Sequence, residues 1–307
     1  MSNKHMSDFL FSKHTPKHKD IDFVNSFINR DIELFIDPVL IQIGDSSFCN
    51  KVKNKLEDYF RELFKAYYDT KDENRKKYLL KHAQEINDSH LGYATRYGHG
   101  NTEEGLYEIF KGIDNYIKGA KLRRTYELAL FVPGFAEDGM SDLITNVIYK
   151  ELSEFTKEQC DKYGLKTCKC PKDRYYWDDK THSWQKYCGE SLLIEEMVCI
   201  LIPKEIVHHR YKFTADNYLR SVIVENICEE QAIFDEKGKK CRPLKNATRE
   251  KLIKKYGSIL DTVLYYTNAD EALLDQYCRI VLAKYKESKL PDDELDEIVY
   301  KEYCRDV

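Results

Sequence analysis

Two aspartates four residues apart, Asp138 and Asp142, are the residues of this chain best suited to chemistry. They lie in an acidic turn that begins at Glu137, after an apolar run and the pair Pro133 and Gly134. Because the turn is predicted to open a helix, both carboxylates would converge near the helix mouth. Mg2+ or Mn2+ takes such carboxylates together with waters and a substrate phosphate. The sequence therefore predicts Asp138 and Asp142 as ligands of a catalytic divalent cation.

Helix capping is the alternative explanation of the same turn. Asp and Ser are preferred at helix starts, because they satisfy free backbone N–H groups and the helix dipole. Capping accounts for Ser141 and in part for Asp142. It does not readily account for an acidic turn after a broken strand, so both interpretations stay open.

The second candidate site is a glycine-rich segment, residues 91–105, that leads into a predicted helix. Gly98 and Gly100 would let backbone N–H groups approach a phosphate, which a helix N-terminus also favours. Arg96 would clamp that phosphate, and His99 would act as a general acid or base. The pattern matches no nucleotide-binding fingerprint, and a plain turn with an Asn or Thr cap is the alternative.

Two more charged residues end apolar runs. Lys204 follows the predicted buried strand 197–202, and it would enter the same cleft if that strand lies beside a strand at 128–132. There it would stabilise a phosphoryl transition state or orient the attacking water; an exposed strand end is the alternative. Asp37 is a third metal ligand or a turn residue.

An aromatic and basic hairpin is predicted over residues 172–187. Its tryptophans, Trp177 and Trp184, together with Arg174, could stack on nucleic-acid bases or dock a protein partner. Ordinary cross-strand packing of the aromatic side chains is the alternative.

Cysteines are numerous, at ten, but most are scattered and indicate reduced, buried thiols. Four of them cluster in sequence near His182, but their spacing lacks the Cys-x2-Cys knuckle of a zinc site. We therefore do not expect a structural Zn2+ ion. The four are Cys160, Cys168, Cys170 and Cys188.

Helical periodicities alternate with a few short strand patterns, which indicates the α+β class: a small mixed sheet surrounded by helices, with a C-terminal helical appendage. We predict a mobile leader over residues 1–20, an α+β domain over 21–245 and a helical C-terminal region over 246–307. The chain has 307 residues, enough for a substantial core.

Composition excludes some classes of function. The net charge of −4 argues against a protein that coats nucleic acid by bulk electrostatics, although local basic patches remain compatible with it. No stretch approaches the ~18 apolar residues of a membrane span, and the N-terminus lacks the pattern of a secretory signal. The sequence thus predicts a cytoplasmic protein without a membrane role.

The acidic turn after one strand and the lysine at the end of another resemble the PD-(D/E)xK nucleases of restriction and phage-defence systems. The resemblance would give Asp138 or Asp142 the metal-binding role and Lys204 the role of the lysine that assists the water. It implies Mg2+-dependent cleavage of DNA or RNA. The chain departs from the family pattern because Ile202 stands where Glu or Gln is expected, with Pro203 before the lysine.

Two functions follow from these residues. The first is a metal-dependent nuclease or phosphodiesterase-like protein, working in a bacterial defence assembly and binding nucleic acid. The alternative is a non-catalytic subunit that docks other proteins through the 172–187 hairpin or the C-terminal helices. The acidic net charge and the missing Glu-x-Lys pattern favour the alternative.

Overall fold

Helices make up most of the chain and short strands form small sheets around them, which confirms the α+β class. The computed structural model describes residues 4–11, 16–84, 86–93, 103–116, 123–132, 135, 137–285 and 289–301. The helices within these residues are α1 (Ser7–Leu10), α2 (Pro38–Ile43), α3 (Ser47–Tyr68), α4 (Glu73–Leu80), α5 (Glu103–Tyr116), α6 (Leu128–Phe131), α7 (Glu137–Val147), α8 (Tyr149–Tyr163), α9 (Ala215–Tyr218), α10 (Val224–Glu230), α11 (Lys245–Tyr256), α12 (Ile259–Ala269), α13 (Ala272–Tyr285) and α14 (Asp292–Lys301).

Within the described residues the strands pair antiparallel in four small sheets. The strands are β1 (Phe35–Ile36), β2 (Cys168–Lys169), β3 (Tyr175–Asp178), β4 (Ser183–Lys186), β5 (Glu190–Ile194), β6 (Met197–Cys199), β7 (Val207–His208), β8 (Ile233–Phe234) and β9 (Lys240–Cys241). β1 pairs with β7, with Phe35 opposite His208, and β5 lies between β2 and β6. The hairpins β3–β4 and β8–β9 each form a two-stranded sheet.

The segment before the acidic turn is helical, so the predicted strand at 128–132 is wrong. Leu128–Phe131 forms α6, and its side chains at 128, 130 and 131 are buried. A run of four apolar residues has too little periodicity to distinguish a buried strand from a buried helical turn, and Leu and Ala are good helix formers. The acidic residues therefore begin at the first residue of a helix, α7, that follows another helix instead of a strand.

The helix after the acidic turn begins earlier than predicted and is interrupted. α7 starts at Glu137, and α8 starts at Tyr149, after a break at Ile148. Ser141 is therefore inside a helix, and the prediction that it caps the first turn is wrong. The predicted end is confirmed: Gly164 closes α8 in the left-handed conformation, with φ of 70°.

The pair Asp37 and Pro38 joins a strand to a helix. β1 stops at Ile36, and the Asp37 carboxylate then accepts a hydrogen bond from the Val39 N–H, with 2.8 Å between Oδ1 and N. Pro38 occupies the first position of α2, where its missing N–H has no consequence. The apolar run from Ile32 to Ile43 therefore continues as a helix after the proline.

Both ends of the described chain belong to the folded body. Met6 and His18 are buried, so the expectation of a mobile leader is wrong for residues 4–11 and 16–20. The His18 Nδ1 atom lies 2.7 Å from Oδ1 of Asp296 in α14, and its Nε2 accepts a hydrogen bond from the Asn25 N–H.

The C-terminal helices share the main core with the rest of the chain. Leu295 and Val299 of α14 and Tyr285 of α13 belong to the same buried cluster as β1 and α3. The region after residue 245 is helical, as predicted. It is, however, packed into the core instead of being appended to it.

Candidate functional site

α7 lies against β1 and carries the two predicted metal ligands. The Ile36 N–H donates a hydrogen bond to the Ser141 hydroxyl, at 3.0 Å. Residues 138, 141 and 142 are three and four positions apart, so they share one face of α7. The hydrogen bond therefore turns the face that bears Asp138 and Asp142 toward β1. Asp142 is buried and Asp138 is half-buried.

Carboxyl groups from two parts of the fold raise the pKa of one buried tyrosine. Tyr211 is buried, and its hydroxyl donates a hydrogen bond to the Ile36 carbonyl. Burial raises the pKa of Tyr211 well above its usual value, and the negative charges of Asp37, Glu137 and Asp142 raise it further. The three carboxyl groups therefore act on the same buried ring. We call Asp37, Glu137, Asp138 and Asp142 the acidic cluster.

Asp37, for which the sequence left a metal ligand and a turn residue as alternatives, is the N-cap of α2 and a buried member of the acidic cluster. Its side chain is buried, and Oδ2 accepts a hydrogen bond of 2.7 Å from the Tyr285 hydroxyl. Burial raises its pKa to about 6, despite hydrogen bonds that favour the ionised form. A carboxyl that titrates near neutral pH can exchange a proton at working pH. The only sequence signal was its place at the end of an apolar run, which also suits a helix cap.

The glycine-rich segment starts directly against the acidic cluster. Tyr93 donates a hydrogen bond to Glu137, with 3.0 Å between its hydroxyl and Oε2. Burial, and then the charge of Glu137, raise the pKa of Tyr93 to about 12. The predicted phosphate-binding residues of this segment lie outside the described residues; they are Arg96, Gly98, His99 and Gly100.

Gly92 holds the start of this segment against Asp138. Its φ is +143°, a backbone conformation that residues with a side chain rarely adopt. A Cβ at this position would lie 2.6 Å from Oδ1 of Asp138. The Gly92 N–H also donates to the Ile32 carbonyl, at 2.9 Å. Glycine is therefore required here both for the backbone conformation and for the approach to the carboxylate.

Replacing Gly92 with alanine should lower the free energy of unfolding by ~1–3 kcal/mol, because a strained φ is combined with a displaced carboxylate. Urea unfolding measures the loss. Gly238→Ala is the matched control, since Gly238 has a φ of +74° and open space around the missing Cβ. A loss at Gly92 no larger than the loss at Gly238 would contradict a close contact with Asp138.

Lys204 is held by groups outside the acidic cluster. It opens a short 3-10 helix, Lys204–Ile206, instead of ending a strand. Its ammonium donates to the His18 carbonyl at 2.6 Å and pairs with Asp292 of α14 at 2.8 Å. The prediction that Lys204 projects into the same cleft as Asp138 is therefore not supported by these contacts, which fasten the N-terminal segment to α14.

The aromatic hairpin is present as β3–β4, but its tryptophans belong to the core. Trp177 lies opposite Trp184, and they are 0% and 7% exposed. Each indole N–H is satisfied internally, by Asp58 and by the Leu79 carbonyl respectively. The prediction that these rings form a recognition surface is wrong, because cross-strand pairing directs both of them onto α3 and its Tyr59.

Arg174 also has an internal role in place of the predicted binding role. Its guanidinium forms a two-pronged ion pair with the buried Asp88, at 2.6 and 2.7 Å. The Tyr149 hydroxyl donates to the same carboxylate, at 3.0 Å. This bidentate geometry fixes the base of the hairpin on α8.

The four clustered cysteines are divided between different surroundings. Cys160 is buried in a second apolar cluster, with Leu192 and Cys199. Cys168 and Cys188 are exposed, and Cys170 is half-buried. Within the described ranges, no group of three or more His, Cys, Asp or Glu residues is placed to hold a metal ion.

The family model of a domain of unknown function, DUF8370, matches residues 14–214. The chain belongs to the DUF8370 family. The matched residues include the acidic cluster, Tyr93, Lys204 and Tyr211, whereas Tyr285 and helices α9 to α14 follow the family domain. No match was found among curated proteins or solved structures. Membership in the family therefore adds no activity to the site.

In the described part of the chain, no helix is both long and apolar enough to cross a membrane.

Proposed function

We propose that this member of the DUF8370 family is a cytoplasmic, metal-dependent nuclease or phosphodiesterase-like enzyme. The observation that supports the proposal is the convergence of the acidic cluster with the start of the glycine-rich segment, through Glu137 and Tyr93 and through Asp138 and Gly92. Carboxylates beside a segment suited to phosphate are the two components that metal-assisted phosphodiester cleavage requires. A place in an antiphage defence assembly rests on the resemblance alone.

The donor set suits a hard divalent cation, since it consists of carboxylate oxygens. Asp138 and Asp142 would hold Mg2+ or Mn2+, with waters and the substrate phosphate filling the remaining positions. Such an ion would act as a Lewis acid on the phosphate.

The surrounding residues supply the remaining roles. Asp142 is held in a buried position by α7, which limits its movement and keeps bulk water away. Asp37 would hold or release a proton at its carboxyl group, consistent with its pKa of about 6. Arg96 and His99 would meet the phosphate from the glycine-rich segment, whose Tyr93 donates a hydrogen bond to Glu137.

The Asp142→Asn variant tests the enzymatic proposal. Cleavage of labelled DNA and RNA with Mg2+ or Mn2+ should fall by ~100-fold or more, since the loss of a metal ligand removes several kcal/mol of transition-state stabilisation. Asp161→Asn, an exposed aspartate on α8, is the matched control and should cleave at the wild-type rate. Wild-type cleavage by both Asp138→Ala and Asp142→Ala would refute the proposal.

A metal-binding assay complements the activity assay. An ion that binds only the folded state raises its stability by RT ln(1 + [L]/Kd), or about 2.7 kcal/mol at 100 times the Kd. Mg2+ or Mn2+ should therefore raise the unfolding temperature of the wild-type protein and of Asp161→Asn, but not that of Asp142→Asn. Equal shifts in all three proteins would place any bound ion elsewhere.

The alternative is a non-catalytic subunit that binds other proteins. The contacts of Lys204 favour it, because an ammonium held by Asp292 and His18 is not available to assist a reaction. Such a subunit would use the exposed turn of the β3–β4 hairpin, around Lys180, or the C-terminal helices. Proteins that co-purify with the wild type but not with Lys180→Glu, and a lack of cleavage by every variant, would select this alternative.

A further inference from the structure

A strongly basic stretch lies outside the family domain, in a chain whose net charge is −4. Residues 237–255 contain nine Lys or Arg residues and a single acidic residue, Glu250. The stretch comprises the end of the turn between β8 and β9, the strand β9 and most of α11. The overall net charge does not reveal this local excess of positive charge, which would attract a polyanion to this part of the surface.

Ion pairs neutralise only some of these cations. Four of them contact acidic groups on α9 and α10; these four are Lys240, Arg242, Lys245 and Arg249. The other five are exposed and have no ion pair within the part of the chain that the structure describes; they are Lys237, Lys239, Lys251, Lys254 and Lys255. Lys251, Lys254 and Lys255 are spaced by three and four residues, so they share one face of α11.

Exposed apolar side chains accompany the unpaired lysines. Ile233 and Phe234 on β8 are 68% and 69% exposed, and Leu244, directly before α11, is 78% exposed. Large apolar side chains in contact with water favour burial against a partner. Hydrogen bonds hold the turn of the hairpin that carries Ile233 and Phe234: Oδ1 of Asp235 accepts from the N–H groups of Lys237 and Lys239.

A second aromatic group lies at the other end of α11. Tyr265 is 53% exposed and stacks on Tyr256, with 4.4 Å between the ring centroids. The Lys255 ammonium lies 4.9 Å from the centroid of the Tyr256 ring. Since a helix rises 1.5 Å per residue, the 12 residues of α11 span about 18 Å, and Lys251 and Lys254 lie in the half of the helix that ends at Tyr256.

We propose that this basic surface, residues 233–256 together with Tyr265, binds single-stranded nucleic acid. The unpaired lysines would contact successive phosphates, and Phe234 and Tyr265 would stack on unpaired bases. An anionic membrane fits less well, because adjacent strand residues point to opposite faces, so Ile233 and Phe234 do not form one apolar face for insertion. Binding here does not require the acidic cluster, and it is therefore separable from the proposed cleavage.

Fluorescence anisotropy with a labelled single strand of about 20 nucleotides measures the interaction. EDTA and the Asp142→Asn background keep metal chemistry out of the assay. The variant Lys251→Glu, Lys254→Glu, Lys255→Glu should bind at least ~10-fold more weakly, and its dependence of log K on log salt should be shallower by ~2, since about 0.7 of a counterion is released per phosphate contact on a single strand.

The control triple variant is Lys65→Glu, Lys166→Glu, Lys169→Glu, which changes the net charge equally at three exposed lysines elsewhere. It should bind within ~2-fold of the parent, because screening limits the reach of surface charges to about one Debye length. Equal weakening by both triple variants would mean attraction by overall charge and would overturn the proposal.

Phe234 tests the stacking component. Phe234→Ala should weaken single-strand binding by ~10-fold and duplex binding by less than ~2-fold, because only unpaired bases offer a free face. Ile233→Ala is the matched control: it removes an equally exposed side chain from the same strand without removing a ring. Equal effects of the two variants on single-strand binding would overturn the stacking role.

Two further outcomes would refute the basic surface as a nucleic-acid site. One is no detectable binding of DNA or RNA single strands at about 50 mM salt, where phosphate contacts are strongest. The other is binding to vesicles that contain phosphatidylserine, lost in the α11 triple variant, without binding to nucleic acid. Cleavage that fails while binding persists would refute the enzymatic proposal alone.

Discussion

Replacement of Trp177 with alanine should lower the free energy of unfolding by ~3–5 kcal/mol, the range for the loss of a large buried aromatic side chain. The ring is fully buried, lies 5.1 Å from the Tyr59 ring between centroids, and donates its N–H to Asp58 at 2.9 Å. The Arg75 guanidinium also lies over it, at 5.8 Å from the centroid. Urea unfolding followed by circular dichroism measures the loss.

Two related variants separate the parts of this effect. Trp177→Phe keeps most of the ring but removes the hydrogen bond to Asp58, and it should be destabilised by ~1–3 kcal/mol. Lys180→Ala, in the exposed turn of the same hairpin, should change stability by less than ~0.5 kcal/mol. A loss below ~1 kcal/mol for Trp177→Ala would mean that the ring is accessible in solution, and the recognition interpretation of the hairpin would regain its basis.

The Asp37→Asn variant should be more stable than the wild type above neutral pH and should lose that advantage in acid. Burial raises the folded-state pKa of Asp37 to about 6, from the ordinary aspartate value of 3.8. Its stabilising contribution is therefore fully present below pH 3.8 and is lost as the pH rises through about 6. A shift of about two units corresponds to ~3 kcal/mol, which the wild type lacks at pH 7.5.

Asparagine preserves the shape of this site without the charge. Its oxygen can still accept from the Val39 N–H, and its amide can donate to the Tyr285 hydroxyl. The difference in unfolding free energy between Asp37→Asn and the wild type should therefore grow by ~3 kcal/mol from about pH 4 to pH 7.5. Buried histidines do not disturb this difference, since both proteins contain them.

An exposed aspartate provides the control for Asp37→Asn, and a buried histidine gives the stability of both proteins a pH dependence of opposite sign. Asp45→Asn, at an exposed position just after α2, should give a difference that does not vary with pH. Burial lowers the pKa of His18, so its contribution has the opposite sign and is lost as the pH falls below about 6.5. A pH-independent difference for Asp37→Asn would show that this carboxyl is not desolvated.

A neutral or stabilising Asp37→Asn would also bear on function. A buried carboxyl that lowers stability at neutral pH is characteristic of a residue retained for activity or binding. If the acidic cluster is catalytic, the stabilised variant should lose cleavage, whereas a purely structural cap should lose neither cleavage nor stability. Both measurements use the same purified protein.

The sequence predicted the features that depend on local pattern. The α+β class, the end of α8 at Gly164 and the helices after residue 245 follow from periodicity and from the left-handed conformation that glycine adopts easily. The hairpin β3–β4 followed from aromatic runs around a polar turn. These features require no knowledge of which distant residues meet.

The errors concern tertiary contacts. Leu128–Phe131 is compatible with strand and helix alike, and only packing decides between them. Trp177 has the same sequence signature whether it faces solvent or α3. Lys204 could be assigned only through a neighbouring strand that does not exist, and its partner Asp292 lies 88 positions away in sequence.

In the candidate site, too, residues close in sequence could be predicted and residues brought together by tertiary contacts could not. Asp138 and Asp142 are four residues apart in sequence and were predicted together, whereas Asp37 meets Tyr211 and Tyr285 only because β1 pairs with β7 and α13 packs nearby. The basic surface was concealed for another reason. An overall charge of −4 averages a local excess of cations with the acidic residues elsewhere in the chain.

The packing of the N-terminal segment on α14 determines where any attached segment would emerge. The His5 ring lies 3.5 Å from the Val299 carbonyl, although 294 positions separate them in sequence. Proteins fused before residue 4 and after residue 301 would therefore be attached at neighbouring positions on the surface. A short linker between these points, with new ends opened in the exposed turn at Lys180, would give a circular permutant that keeps the core intact.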